Sequence, residues 1–196
     1  MACDEAYRQA EQQIERAQRK GATVLALEGM GLTEVPESLG NLTRLQLLDL
    51  SENQLTSLPK SLGNLAQLQE LDLHTNQLTL LPESLSKLAQ LRELNLFANK
   101  LATLPNWIGC LKSLQGLGVG ANMLTDLPDS LSGLSLLVDL DLGDVAGGNP
   151  LGKLPTCIRS LNRLNQLYAP NVGWNRYLTG STSLRSFIPL AWTTTT

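Results

Sequence analysis

The sequence predicts an α/β solenoid, which is a curved array with a parallel β-sheet on its concave side and irregular or helical segments on its convex side. Three observations predict it. A unit of 23 residues at 68–90 returns at 45–67, 91–113 and 114–136 with its leucines in register. The same position of every unit is an asparagine, and another fixed position is a proline. A polar helical stretch precedes the first unit, so the predicted array has an N-terminal capping helix.

Residues 1–21 are predicted to form this capping helix. The helical pattern runs from Asp4, which suits the N-cap, to Lys20, and Gly21 supplies the left-handed residue that ends it. One narrow apolar stripe recurs at helical spacing, formed by Tyr7, Ala10, Ile14 and Ala17. Because a terminal repeat needs a polar outer face, we expect the helix to cover the leucine edge of the first repeat. A partner-binding helix is the alternative.

Residues 22–163 are predicted to form six repeats. The first is degenerate, because Met30 stands where later repeats have asparagine. The sixth keeps its frame only if four residues are inserted within Gly143–Pro150. Insertions in solenoids map to loops on one face, often the binding face. A binding role for this insertion and a loop without any role both stay open.

Residues 164–196 are predicted to be a degenerate seventh repeat and a tail. Val172 replaces the repeated asparagine, Leu178 replaces the proline, and the end of the chain is rich in serine and threonine. Two interpretations stay open: the tail folds back over the last leucines, or the chain is a piece of a longer array. An uncapped C-terminal edge would permit self-association.

Each repeated residue type has a physical reason. The leucines of each L-x-L point inward from a short strand, because side chains alternate along a strand. An amide side chain satisfies both donors and acceptors of the turn, so the asparagines are predicted to form a buried ladder: Asn53, Asn76, Asn99, Asn122 and Asn149. Proline suits the start of the convex return, where its missing N–H has no ladder to join.

These motifs resemble the leucine-rich-repeat superfamily over residues 22–163, and the period is a specific signal. The 23-residue unit with LPxxLxxLxxL looks like the intracellular class found in Scribble-type scaffolds and Roco-family proteins. The opening RKGATVLALEGMGLTEVPESL is similar to the start of bacterial Roco-like repeat regions. The resemblance implies protein recognition on the concave face. The chain contains no GxxxxGK[ST] phosphate loop.

Composition narrows the partners and the compartment. The formal net charge of −3 leaves no basic excess, so nucleic acid and anionic membranes are not expected as partners. The three cysteines are scattered, unlike a disulfide framework, and the first residues are too polar for a signal peptide. The predicted location is therefore cytoplasmic.

The candidate site lies on the concave face, where the residues between the inward leucines form columns across the strands. The first column is Val24, Leu47, Glu70, Glu93, Gly116, Asp139 and Gln166; the second is Ala26, Asp49, Asp72, Asn95, Gly118, Asp141 and Tyr168; the third includes Ser51, His74, Phe97 and Gly120. The predicted partner-binding residues are Asp49, Glu70, Asp72, His74, Glu93, Asn95, Phe97, Gly118, Asp139 and Asp141.

Each part of this site has a competing explanation. The Leu-Asp-Leu form is a common consensus of such repeats, which favours a structural role for the acids of the second column. A metal or acid–base site at His74 is disfavoured, because one histidine in an open groove gives poor geometry. Phe97 is expected as an exposed interface anchor. Glycines at 116, 118 and 120 are expected to expose backbone that could admit a bulky partner group.

The function predicted first is a non-catalytic interaction module that binds a protein or peptide partner on its concave face. No catalytic residue, cofactor or metal is predicted, since no nucleophile elbow, zinc spacing or phosphate loop occurs. Two alternatives belong to other classes. One is a regulatory repeat fragment of a larger signalling protein, such as a Roco-like GTPase or a bacterial effector. The other is a structural role through self-assembly at the C-terminal edge.

Overall fold

The computed structural model describes residues 2–143 and 148–169. The predicted tail and the middle of the predicted insertion, residues 170–196 and 144–147, lie outside the described residues. So does any cap or self-association contact formed by the tail.

The N-terminal helix α1 spans Ala2–Lys20 and begins two residues before the predicted start. Ala10, Ile14 and Ala17 are buried in the same apolar cluster as the leucines of the first repeat. Gly21 follows with a φ of 59°, the left-handed conformation that the sequence predicts for the end of the helix. The predicted N-terminal capping helix is therefore confirmed.

In the described part of the chain, one parallel sheet forms the concave face, and its strand order equals the sequence order. Its strands are β1 Val24–Ala26, β2 Leu47–Asp49, β3 Glu70–Asp72, β4 Glu93–Asn95, β5 Gly116–Gly118, β6 Asp139–Asp141 and β7 Gln166–Tyr168. Each strand pairs with the equivalent residues of the next repeat, so that Leu48 lies opposite Leu71. This register turns the columns predicted from the sequence into real rows across the sheet.

The convex side is built from short 3-10 helices, and each begins directly after one of the predicted prolines. The helices that the structure describes are Glu37–Asn41, Lys60–Asn64, Glu83–Lys87, Asn106–Cys110, Asp129–Gly133 and Thr156–Ser160. Adjacent coils approach closely here. A Cβ on Gly63 would overlap the backbone carbonyl oxygen of Ser84 in the next coil, so this position requires glycine.

The interior consists of stacked leucines and a ladder of buried asparagines. Asn76 represents the ladder: its Oδ1 accepts the Leu55 N–H at 3.0 Å, while its Nδ2 donates to the carbonyls of Leu50 at 3.0 Å and Leu73 at 3.1 Å. The asparagine thus joins its own coil to the preceding one, and the predicted ladder is confirmed. Asn149 makes the equivalent bonds to Val119 and Leu142, so the longer sixth repeat keeps its place in the ladder.

The residue before each of the first four ladder asparagines adopts the left-handed conformation. Its φ lies between 51° and 54° at Glu52, Thr75, Ala98 and Ala121. In the first repeat the equivalent residue is Gly29, with a φ of 64°. Only glycine adopts this conformation without steric cost, so the later repeats tolerate a small strain at every coil.

Candidate functional site

The candidate site is a groove of about 400 Å³ on the concave face, running across β2 to β6. Eight of the ten predicted site residues line it, namely Asp49, Glu70, Asp72, Glu93, Asn95, Gly118, Asp139 and Asp141. His74 and Phe97 lie beside it in the third column. The register brings the eight residues together, because strands of a parallel sheet stack about 4.8 Å apart. None of the residues that line the groove is lysine, arginine or histidine.

The acids and the amide of the second column close the turn after each strand. Asp72 Oδ1 accepts the backbone N–H of His74 at 3.0 Å, two residues further on. The same Asx-turn bond joins Asp49 to Ser51, Asn95 to Phe97 and Asp141 to Gly143. Asp and Asn favour turns for this reason. The competing explanation of a structural role therefore applies to these four side chains.

The third column is less exposed than the sequence predicts. Ser51 is only 1% exposed and its Oγ donates to Asp49 Oδ1 at 2.6 Å. His74 Nδ1 lies 2.8 Å from Asp72 Oδ1, and its Nε2 lies 3.8 Å from Glu52 Oε1. Within residues 2–143 and 148–169, no group of three or more His, Cys, Asp and Glu side chains is placed to hold a metal ion.

The expected patch of bare glycine backbone is wrong at two of its three positions. Gly116 and Gly120 are buried, and only Gly118 keeps partial exposure. The carboxylate of Glu93 lies over Gly116, and a Cβ on Gly120 would meet Cδ2 of Phe97 at 3.0 Å. Long side chains from β4 and from the residues just after it thus cover these two glycines of the neighbouring coil. Phe97 is for the same reason only partly exposed, not the fully exposed anchor that we expected.

Among the described residues, the acids of the first column do not make the Asx-turn hydrogen bonds that the second column makes. Glu70 and Glu93 are exposed, whereas Asp139 is partly buried. Where the Glu93 carboxylate leans across Gly116 it loses water, and this burial raises the pKa of Glu93; the negative charges of Asp139 and Glu70 raise it further. Oδ1 of Asp139 is fully buried and has no hydrogen-bond partner among the described residues. The first column therefore carries negative charge that the fold itself does not use.

Three exposed apolar side chains are not among the predicted partner-binding residues. Val24, Leu80 and Met123 are 56%, 60% and 60% exposed. Val24 heads the first column at the edge strand β1. Alignment of the repeats carries a signal for the other two, because Leu80 stands where its neighbours have Ser57 and Thr103, and Met123 follows a ladder asparagine where polar residues are usual.

Comparison with known proteins identifies the class. Residues 23–99 match a family model described as Leucine-rich repeat region, and residues 90–111 match one described as Leucine Rich Repeat. Together with the parallel concave sheet and the asparagine ladder, these matches define a solenoid of this class. The chain is a leucine-rich-repeat protein. The narrower 23-residue class and the Roco-like resemblance stay predictions. Among curated proteins, none matches the sequence.

Several solved structures are similar to this chain. A leucine-rich-repeat protein of Leptospira interrogans has 39% identity and a TM-score of 0.65 over 70% of this chain and 36% of its own. The ectodomain of the Arabidopsis thaliana receptor kinase GASSHO1/SCHENGEN3, in complex with CASPARIAN STRIP INTEGRITY FACTOR 2, has 35% identity and a TM-score of 0.65 over 76% and 18%. The plant peptide hormone receptor RGFR1, in complex with RGF2, has 34% identity and a TM-score of 0.60. The match covers 75% of this chain and 24% of the receptor chain.

The chain thus spans about a third or less of the length of these proteins. In the described part of the chain, no helix is both long enough and apolar enough to cross a membrane.

Proposed function

We propose that this chain is a non-catalytic interaction module that holds a protein or peptide partner in its concave groove. The observation that carries the proposal is the groove itself: an open sheet face of about 400 Å³, lined by side chains that the scaffold only partly uses. Two similar structures are receptors in complex with CASPARIAN STRIP INTEGRITY FACTOR 2 and RGF2, which supports binding of a polypeptide by this class.

The predicted site residues divide between two tasks in this proposal. Glu70, Glu93 and Asp139 make no side-chain hydrogen bond to the described part of the scaffold and contact the partner. Asp49, Asp72, Asn95 and Asp141 hold the turns and shape the groove floor; their contribution to binding is indirect. Gly118 provides space between them, while His74 and Phe97 border the groove and contact a partner that extends beyond it.

Occlusion of the groove tests the proposal. Peptides that bind the wild-type chain are first selected from a displayed library of random dodecapeptides. Leu47→Trp and Gly118→Trp then fill the groove without changing its charge. We expect each variant to lower the affinity of the selected peptides at least tenfold, mainly through faster dissociation. Lys60→Trp places the same ring on the convex face and is the matched control. Equal binding by all variants would contradict the assignment to the concave face.

We place this function in the cytoplasm. The thiols of Cys110, which is exposed, and Cys157, which is buried, are both free. An exposed free thiol is typical of a reducing compartment, which supports the location predicted from the sequence. Fractionation of the native cell tests it, and recovery outside the cytoplasmic fraction would contradict it.

A further inference from the structure

The part of the groove with the least complete hydrogen bonding lies in the middle of the first column. Glu70, Glu93, Gly116 and Asp139 are consecutive members of this column, each paired with the next across the sheet. Gly116 has no side chain, so the carboxylate of Glu93 leans across it toward β6 instead of standing over its own strand. Two carboxylates therefore approach each other across a glycine.

The second of these carboxylates has an acceptor that the fold leaves empty. Oδ1 of Asp139 has no exposed surface and no hydrogen-bond partner among residues 2–143 and 148–169. A buried acceptor without a donor is unfavourable, and a buried carboxylate oxygen more so than a neutral one. The repulsion from Glu93 adds to this cost, and the same repulsion contributes to the raised pKa of Glu93.

Residues 2–143 and 148–169 do not supply the missing donor. The groove is lined by the carboxylates of Asp49, Glu70, Asp72, Glu93, Asp139 and Asp141, with no cationic residue beside them. The acids of the second column already accept backbone N–H groups. Glu93 and Asp139 are thus the pair whose bonding a cationic donor would complete, and Gly118 leaves space beside them.

Resting on the proposed function, we propose that the partner is an extended polypeptide segment with a lysine or arginine, whose cationic head lies between Glu93 and Asp139. Such a head donates several hydrogen bonds to oxygens that now lack a donor and removes the repulsion between the two acids. Charge complementarity of this kind fixes the register of a bound segment and speeds its association. The scaffold then supplies the sheet face, while this pair selects the residue.

The test uses the full 196-residue chain and the peptides selected on it from the dodecapeptide library. We expect lysine or arginine at one position of the selected peptides at several times its frequency in the library. Glu93→Gln and Asp139→Asn each weaken the peptides about tenfold, because each removes one of two charges around the cation. Glu83→Gln, the same change on the convex side, leaves affinity unchanged. Binding weakens between 50 mM and 500 mM NaCl and is unaffected by EDTA.

Other outcomes separate this inference from the proposed function. Peptides that are blocked by Leu47→Trp but carry no excess of lysine or arginine would overturn the cation pair and leave the groove assignment standing. Binding that disappears in EDTA would assign the acids to a metal ion and overturn the inference likewise. Selection of no peptide that Leu47→Trp blocks would overturn both proposals together.

Discussion

Polar side chains recur once per coil in two regions, the asparagine ladder in the core and the first column of the groove, and their hydrogen bonding differs. Each ladder amide that the structure describes between Asn76 and Asn149 is buried and bonded on both its oxygen and its nitrogen. Asp139, by contrast, keeps a buried oxygen without a partner. Among the described residues, the ladder amides therefore have their hydrogen bonds completed within the scaffold, whereas Oδ1 of Asp139 does not.

The second column lies between these extremes. Asp72 accepts the backbone N–H and the imidazole of His74 and lies 3.3 Å from Nδ2 of Asn95, yet it also lines the groove. Substitutions in the three sets should therefore differ in their cost to the free energy of unfolding, in the order ladder, second column, first column.

The ladder should show the largest effect. Asn76→Ala leaves the N–H of Leu55 and the carbonyls of Leu50 and Leu73 buried without partners. We expect a loss of about 3 kcal/mol of unfolding free energy, since each unsatisfied buried group costs roughly 1–3 kcal/mol. Urea denaturation followed by circular dichroism measures it. Asn64→Ala, the same change at an exposed position, should cost less than about 0.5 kcal/mol; a similar loss for both would break the comparison.

The second column should show an intermediate effect. Asp72→Ala removes the acceptor that closes the turn after β3, and we expect a loss of about 1 kcal/mol, comparable to the loss of a helix N-cap. Glu70→Ala, two residues earlier on the same face of the same strand, is the control and should change stability by less than about 0.5 kcal/mol. If Glu70→Ala proves as costly as Asp72→Ala, the distinction between the columns is wrong.

The first column should show a small gain. Asp139→Asn removes a charge next to Glu93, and we expect unfolding free energy to stay unchanged or to rise by up to about 0.5 kcal/mol, as is typical for partly exposed like charges. Thermal unfolding of the two proteins at pH 7 measures the difference. A loss above 1 kcal/mol would show that Asp139 belongs to the scaffold.

The smallest effect is a dependence on pH. The pKa of Glu93 is raised in the folded chain by burial and by Asp139 and Glu70, so folding favours its protonated form. The associated stability is present at low pH and is lost as the pH rises through the folded-state pKa. Glu93→Gln should therefore become more stable relative to wild type as the pH is raised from about 3.5 to 7, a range that begins below the ordinary pKa of a glutamate.

An inner control sharpens this measurement. In the background of Asp139→Asn, one cause of the raised pKa is absent, so the pH trend of Glu93→Gln should shrink. An unchanged trend in that background would show that Asp139 has no part in it. If Glu93→Gln without the second substitution became less stable relative to wild type as the pH rises, the position of the Glu93 carboxylate over Gly116 would be wrong.

The sequence predicted the scaffold well because the residues that build it repeat with a constant period. The inward leucines, the ladder asparagines and the prolines of the convex return each satisfy a local requirement, and a 23-residue shift exposes them. The rows of the sheet followed from the alternation of side chains and the register. Even Asn149 was placed correctly across the longer sixth repeat.

The covering of the glycines could not be predicted in the same way. The column pattern predicts that each side chain stands above its own strand. A glutamate or phenylalanine, however, is long enough to cross the roughly 4.8 Å to the next strand. Glu93 and Phe97 do so because glycine offers them space. The roles of the acids also depend on neighbours: Asp72 and Asp139 have the same charge, and only their surroundings separate a turn acceptor from an unpaired one.

The exact register of the sheet has a consequence for the sequence of any partner. A partner segment in the polyproline II conformation advances about 3.1 Å per residue and repeats its side-chain direction every three residues, so three partner residues match two strands of the sheet, which lie about 4.8 Å apart. A segment running along the array would therefore present every third side chain to alternate coils. One such set is Leu47, Glu93 and Asp139, and the other is Glu70, Gly116 and Gln166. A recognised sequence would thus show a spacing of three, and the cationic residue that lies between Glu93 and Asp139 would belong to the set that faces Gly116.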